Sequence, residues 1–258
     1  MAMRAPRRKV VSFDMAGMWG DETRPVKGYL NGKINHWRIA MSVRINDIAP
    51  DFTADSTAGK INFHEWLDGG YAIIFSHPRD FTPVCTTEFG AVAQLAPEWA
   101  KRKTKVIGVS VDSVDDHQKW KRDIEAFSGS PADFPIIDDT SLTVSKAYDM
   151  LPAEFYLPET GRTPANSATV RTVYIIGPDK KVRLTMTYPM SVGRNFAEIL
   201  RALDAVQATD GVPVATPANW VPGQDVIVAL SLNDAQAAEK FGALDIKLPY
   251  LRFAKRPV

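Results

Sequence analysis

Two short apolar runs constrain this chain more than any other feature. "YAIIFSH" (Tyr71–His77) and "KVIGVSVD" (Lys105–Asp112) are nearly continuous apolar stretches, the pattern of central strands covered on both faces. Between them Phe89, Val92, Leu95, Ala96 and Trp99 fall on one helical side, with Pro97 placed to kink the helix. Strand, helix, strand predicts a βαβ unit and an α/β fold.

The alternation continues. Asp112 or Ser113 can cap a helix whose Trp120, Ile124 and Phe127 share a face. "FPIIDD" and the helical "SLTVSKAYDM" make a further βα unit, and "RTVYIIGPDKKVRLTMTYP" reads as a hairpin turning at Gly177-Pro178-Asp179-Lys180. Asn195 opens a helix striped by Phe196, Ile199, Leu200, Leu203 and Val206, with Glu198 spaced for a capping box. After Gly211 the chain turns rich in Pro and Gly, then shows a strand-like "VIVALSL" and a short helix near Asp234–Phe241. The expected division is a basic N-terminal extension over 1–42, a main domain over 43–208 and a small extension over 209–258, too short to be stable alone.

Charge separates the first segment from the rest. Residues 1–42 carry eight Lys/Arg against three acids, +5, leaving −4 for the remainder and +1 overall. A balance so close to zero recommends neither nucleic acid nor a membrane surface as partner. No apolar run reaches the roughly 18 residues of a membrane span. The first segment lacks a secretory pattern, and three readings compete for it: a disordered basic arm, an organellar targeting peptide, or sequence upstream of a start at Met41. The last is favoured, since regular patterning begins at "MSVRINDIAPDF" and the acids in the segment count against a transit peptide. His36 and His117 read as solvated surface residues, and the six tryptophans as core or interface anchors.

Chemistry concentrates at Cys85, the chain's single cysteine. It cannot form an internal disulfide, which suits a reducing compartment, and the expected location is the cytoplasm. A lone cysteine is ordinarily a small buried hydrophobe, but this one follows a strand and a loop at the start of a helix. Unpaired N–H groups and the positive end of the helix dipole there favour a thiolate. Pro83 suits the helix entry, and the Thr82 hydroxyl can donate and accept near the sulfur. Arg171 shares a strand face with Val173 and Ile175, so its guanidinium needs an anion. Arg194, just before a helix, is a second candidate cation. A structural ion pair is the competing reading for both arginines.

"PRDFTPVC" resembles the Pro-x-x-x-Thr-x-x-Cys signature of peroxiredoxins, here Pro78, Thr82 and Cys85. With "FPIIDD", "GPDKK" and "YPMSVGRNF", it is similar to the one-cysteine, peroxiredoxin-6-like subfamily over more than four fifths of the chain. The resemblance implies a thioredoxin-like fold with a small C-terminal extension, and peroxidase activity with no metal or organic cofactor. It implies that Cys85 attacks a hydroperoxide, that Thr82 hydrogen-bonds peroxide and sulfur, and that Arg171 holds the thiolate. It further implies that Pro78 shields the pocket, that His77 lines it, and that Glu88 partners Arg194. The attack calls for a partly exposed sulfur. No resolving cysteine exists, so an external thiol, with glutathione as the family-based expectation, must reduce the sulfenic acid. Homodimers are expected, with the extension packed on the partner. Some relatives carry a phospholipase Ser-His-Asp set; His64 and Asp179 match, but Gly70 stands where the serine would be, so that route is expected to be absent. Ser76 nearby is a tempting substitute. Two rival readings remain: a zinc site built from Cys85, His77 and His64, and a non-catalytic chaperone or redox-signalling scaffold on the same fold.

Overall fold

The computed structural model describes residues 43–156 and 167–255. The expectations for residues 1–42, His36 among them, lie outside the described residues. The first strands, β1 (Thr53–Ala54) and β2 (Ile61–Asn62), pair antiparallel and lead into helix α1 (Phe63–Leu67). The main sheet takes β3 (Tyr71–Ser76), β4 (Thr104–Ser110), β5 (Ile136–Asp138), β6 (Arg171–Ile176) and β7 (Val182–Tyr188), in spatial order β5-β4-β3-β6-β7. β3, β4 and β5 run parallel, whereas β6 pairs antiparallel with both β3 and β7. The two apolar runs are therefore neighbours at the centre, as their composition requires.

Strand alternation divides the core. Ile73, Phe75, Val173 and Ile175 face one layer with helices α2 (Pro83–Gln94) and α4 (Val114–Ser128). Ala72, Ile74, Ile107, Val109, Tyr174 and Ile176 face the other, with Phe63, Leu67, Val144 and Tyr148. Pro97 does more than kink the helix after β3. It sits in a separate short helix, α3 (Ala96–Lys101), with the break at Leu95, because proline cannot supply the N–H that a continuous helix needs. Ser113 caps α4 by accepting from the Asp116 amide.

Several expectations need correction. Phe127 does not share the buried face of Trp120 and Ile124; it is 61% exposed. The helix expected across "SLTVSKAYDM" shrinks to α5 (Thr143–Ala147). Both Asp139 carboxylate oxygens accept amides, from Val144 and Ser145, at its start, and left-handed residues at Leu142 and Asp149 bracket it. The hairpin turns where expected, with the Lys180 amide donating to the Gly177 carbonyl at 2.9 Å.

Helix α6 (Phe196–Thr209) begins at Asn195, whose side chain accepts from the Glu198 amide. The Glu198 carboxylate does not complete a capping box; it pairs with Arg201 at 2.6 Å. The remaining chain forms β8 (Val214–Ala215), β9 (Val226–Val228), α7 (Asp234–Phe241), β10 (Asp245–Leu248) and β11 (Leu251–Ala254), with sheet order β10-β11-β9-β8. These elements bury their own cluster, including Val214, Trp220, Val226, Val228, Ala237 and Phe241. Only the first half of "VIVALSL" is strand. The Leu232 amide turns back to the Ala229 carbonyl, leaving Leu230 exposed.

Candidate active site

Cys85 occupies the third position of α2, after Thr82 as N-cap and Pro83 as first helical residue. The Thr82 side chain does not cap the helix; its hydroxyl donates to the Arg79 carbonyl at 2.9 Å. The amides of Val84 and Cys85 are thus left without an intrahelical acceptor at the positive end of the dipole. The sulfur is not partly exposed, as the sequence suggested: Cys85 is 0% exposed and packed in the core layer of α2. Helix periodicity puts it on the same side as Glu88, Phe89 and Val92, which face the sheet.

Strand periodicity brings the cations to it. Phe75 pairs with Val173, so β6 runs antiparallel past the end of β3, and Arg171 lies on the Val173 side, beneath α2. Each of three Arg171 contacts has its own partner: Nε donates to the Met190 carbonyl at 2.8 Å, and Nη1 donates to Glu88 Oε2 at 2.6 Å and lies 3.4 Å from Cys85 Sγ. Arg194 binds the same carboxylate. Its amide and Nε reach Oε1 at 2.8 and 2.9 Å, and its Nη2 reaches Oε2 at 2.7 Å. Nη1 of Arg194 donates to the Ser76 and Thr172 carbonyls, and the guanidinium lies over the rings of Phe75 and Phe196. Burial pulls the Arg194 guanidinium below its ordinary value against the hydrogen bond and charge of Glu88. Two buried guanidiniums thus share one buried carboxylate, and a unit of positive charge faces the sulfur.

Pro78 is buried in the loop between β3 and α2, which also carries Asp80 and Thr82. His77 is buried, with Nε2 2.7 Å from Asp80 Oδ1 and its ring stacked on Trp120. Among the described hydrogen bonds, none joins His77 to the sulfur. His117 corrects the expectation of a surface residue. It is 0% exposed, with Nδ1 2.6 Å from Asp80 Oδ2 and Nε2 3.1 Å from the Ile137 carbonyl. Its spacing from Trp120 and Ile124, three and seven residues, puts it on the buried face of α4 and was a signal available in the sequence. Asp80 was missed for a plainer reason: nothing local shows that an acid in a turn will be buried.

The zinc reading brings together the wrong residues. Among the described residues, the metal-like cluster is His77, Asp80 and His117, without Cys85 or His64. Ligands on one tetrahedral zinc stand roughly 3.4 Å apart, given metal–ligand distances near 2.1 Å. Contacts of 2.6 and 2.7 Å are bridged by protons. His64 instead points Nε2 at the Ala49 carbonyl, 2.8 Å away. Asp179 is held by Arg183 and the Lys181 amide, and Ser76 donates to the Val170 carbonyl while accepting from the Thr172 amide.

A family model described as the AhpC/TSA family matches residues 45–185, and one described as the C-terminal domain of 1-Cys peroxiredoxin matches residues 205–241. The mitochondrial peroxiredoxin PRX1 of Saccharomyces cerevisiae is 48% identical over 214 residues, 83% of this chain and 81% of the yeast protein. The chain belongs to the peroxiredoxin family. Peroxiredoxin-6 of Mus musculus is 46% identical over 224 residues, covering 83% of this chain and 97% of its own. Among solved structures, a cysteine-to-serine mutant of Arenicola marina peroxiredoxin 6 superposes with a TM-score of 0.77 at 41% identity, covering 84% of this chain and 99% of the other. The yeast mitochondrial 1-Cys peroxiredoxin, studied for thiol resolution through glutathione and thioredoxin systems, superposes at 0.76 with 48% identity, covering 83% and 99%. The thioredoxin-like fold with a C-terminal extension is thus the fold of this peroxiredoxin.

Proposed function

We propose that the peroxidase chemistry of this peroxiredoxin runs on Cys85. The chain is a thiol peroxidase. The Cys85 thiolate attacks the terminal oxygen of a hydroperoxide, an S–O bond forms, and the O–O bond breaks. The departing oxygen takes a proton and leaves as water or alcohol, while sulfur is oxidised by two electrons to sulfenic acid. One observation carries the assignment: Arg171 Nη1 stands 3.4 Å from the sulfur while fixed from behind by Glu88 and the Met190 carbonyl. A thiolate would complete a neutral cluster of two cations and two anions. The same donor stabilises charge moving onto the departing oxygen. Thr82 supplies hydroxyl lone pairs at the helix start, and Pro78 excludes water. Glu88 and Arg194 hold Arg171. Because the sulfur is buried, peroxide reaches it through side-chain motion, which favours small, compact hydroperoxides.

With no second cysteine in the sequence, the sulfenic acid condenses with an external thiol, releasing water and leaving a mixed disulfide on Cys85. A second thiol then attacks the external sulfur, the bond to Cys85 breaks, and the Cys85 thiolate is released as the two external thiols leave joined as a disulfide. Glutathione is the reductant we propose; the thiol-resolution theme of the yeast relative supports it. We place the working protein in a reducing compartment, the cytoplasm, as a homodimer. The apolar, exposed Ile246 and Leu248 on the edge strand β10 of the C-terminal sheet, with Tyr250 in the turn that follows, support an interface there. In the described residues no helix is long and apolar enough to cross a membrane.

The test is peroxide consumption with a panel of thiol donors, plus mass spectrometry of Cys85 after oxidant alone. Cys85→Ser should abolish consumption, and a sulfenic adduct cleared by one donor identifies the reductant. A Cys85→Ser protein that still consumes peroxide refutes the assignment. One that loses consumption yet keeps biological activity favours the scaffold reading.

A further inference from the structure

The loop that delivers Thr82 to the helix start is fastened by groups outside the Pro-x-x-x-Thr-x-x-Cys signature. Asp80 lies in its middle, buried, with one carboxylate oxygen on each of two buried histidines: Oδ1 on His77 Nε2 at 2.7 Å and Oδ2 on His117 Nδ1 at 2.6 Å. The other face of His117, Nε2, meets the Ile137 carbonyl at 3.1 Å, which can only accept. His77 Nδ1 is buried with no hydrogen-bond partner, so it holds a lone pair rather than a proton.

Counting protons fixes the state of this network. Three contacts link acceptors and ring nitrogens, and each needs one proton. With three protons, two imidazoles and one carboxylate carry no net charge. A fourth proton would sit on His77 Nδ1 with nothing to receive it. Removing one would leave a buried negative charge and two lone pairs face to face. The neighbouring charges do not alter the count. Asp112 accepts the Asp80 amide at 2.9 Å and the Ser110 hydroxyl at 2.8 Å, and Asp138 accepts the Val114 amide at the head of α4. The directions of titration agree. Burial tends to raise Asp80, but hydrogen bonds from His117 and His77 outweigh it and hold the carboxyl below its ordinary value. Burial pulls His77 down, whereas the bond to Asp80 overcomes burial and pushes His117 up.

We propose that Asp80 and His117 are positioning residues for the peroxidase reaction, forming with His77 a net-neutral, three-proton clamp that sets the loop from Pro78 to Thr82 against β4, β5 and α4. This rests on Cys85 being the reacting sulfur. The clamp acts at a distance: the loop's far end is the N-cap of the helix whose third residue is Cys85. The loop's start is tied as well, by the His77 amide on the β4 carbonyl of Val109 and by Thr169 Oγ1, just before β6, donating to the His77 carbonyl. An error near 1 Å at the reacting atoms costs on the order of a hundredfold in rate.

The isosteric variant separates clamp from charge. In Asp80→Asn the amide donates to a neutral His117 Nδ1, accepts from His77 Nε2, and leaves His117 Nε2 on the Ile137 carbonyl. Every contact is kept with two ring protons and no net charge. Asp80→Ala breaks both contacts. The experiment is the rate of Cys85 oxidation by hydrogen peroxide in both variants, with ¹⁵N NMR of the histidine rings in wild type and Asp80→Asn. The expected result is a rate within about threefold of wild type for Asp80→Asn and a loss on the order of a hundredfold for Asp80→Ala. Ring spectra should show His117 protonated on both nitrogens in wild type and on Nε2 alone in Asp80→Asn, with His77 carrying its proton on Nε2 in both. Equal impairment of both variants, or a wild-type rate in folded Asp80→Ala, overturns the proposal, as does a wild-type His117 bearing one ring proton with Asp80 ionised. If Asp80→Ala does not fold, Asp80→Asn and the ring spectra still decide. Failure of the Cys85 assignment would show separately, as wild-type protein whose sulfur peroxide leaves unoxidised.

Discussion

Replacing Arg171 with lysine keeps a positive charge next to the sulfur but discards its aim. The guanidinium serves three partners at once: the Met190 carbonyl at 2.8 Å, Glu88 at 2.6 Å and the sulfur at 3.4 Å. A lysine ammonium on a flexible stem has no rigid fork, and buried beside a carboxylate it turns to Glu88. The charge moving onto the departing oxygen then loses one charge-assisted hydrogen bond in the transition state, worth about 1.5–3 kcal/mol. At 1.36 kcal/mol per decade, that slows thiolate attack by about 10- to 150-fold. Arg171→Met removes the charge as well and should be slower still. Stopped-flow tryptophan fluorescence after mixing with excess hydrogen peroxide measures the step. Trp120 is a suitable reporter, since its Nε1 donates at 3.1 Å to Thr86 Oγ1, one residue beyond Cys85. Arg194 still gives Glu88 three contacts, so the lysine variant should fold, and circular dichroism checks it. A folded Arg171→Lys that oxidises within threefold of wild type would refute the claim that direction, beyond charge, matters here.

Other perturbations test the surroundings. Gly108→Ala would set a methyl 2.9 Å from Phe89 Cζ and 3.0 Å from its Cε1; overpacking of this kind costs about 1–3 kcal/mol, so a melting temperature unchanged from wild type would contradict the packing described. Gly70→Ser should not create a hydrolase, because its Cβ would lie 3.1 Å from the Lys103 carbonyl and His64 and Asp179 are engaged elsewhere; acyl-ester hydrolysis above the wild-type level would count against this. For pH, the two buried histidines pull in opposite directions. His77 is depressed, so its contribution is present above the ordinary histidine value and lost as pH falls through its own. His117 is raised, so its contribution is full below that value and lost as pH climbs through its own. Urea unfolding should therefore show their joint contribution greatest near about pH 6.5, and a His117→Asn protein should lose the alkaline decline; an unchanged alkaline limb would exclude His117 as its source.

Much of this site was written in local patterns. The apolar runs set the central strands, period two in β6 put Arg171 with Val173 and Ile175, and the proline-led helix start placed Cys85 in a first turn. These are short-range consequences of backbone geometry, which the residues themselves carry. The small misreadings are local too: Leu142 and Asp149 in left-handed conformations shorten α5, a backbone outcome that neither residue type announces.

Sequence alone therefore determined the α/β alternation and the place of the single cysteine at a helix start, because propensity and periodicity act within a few residues. Tertiary structure decided which charges are buried together. That Glu88 serves Arg171 and Arg194 across 83 and 106 residues, and that Asp80 reaches His117 across 37, depends on how β3, β6, α2 and α4 pack. A charge leaves water only when its partner is already in place, and the packed layers supply that partner.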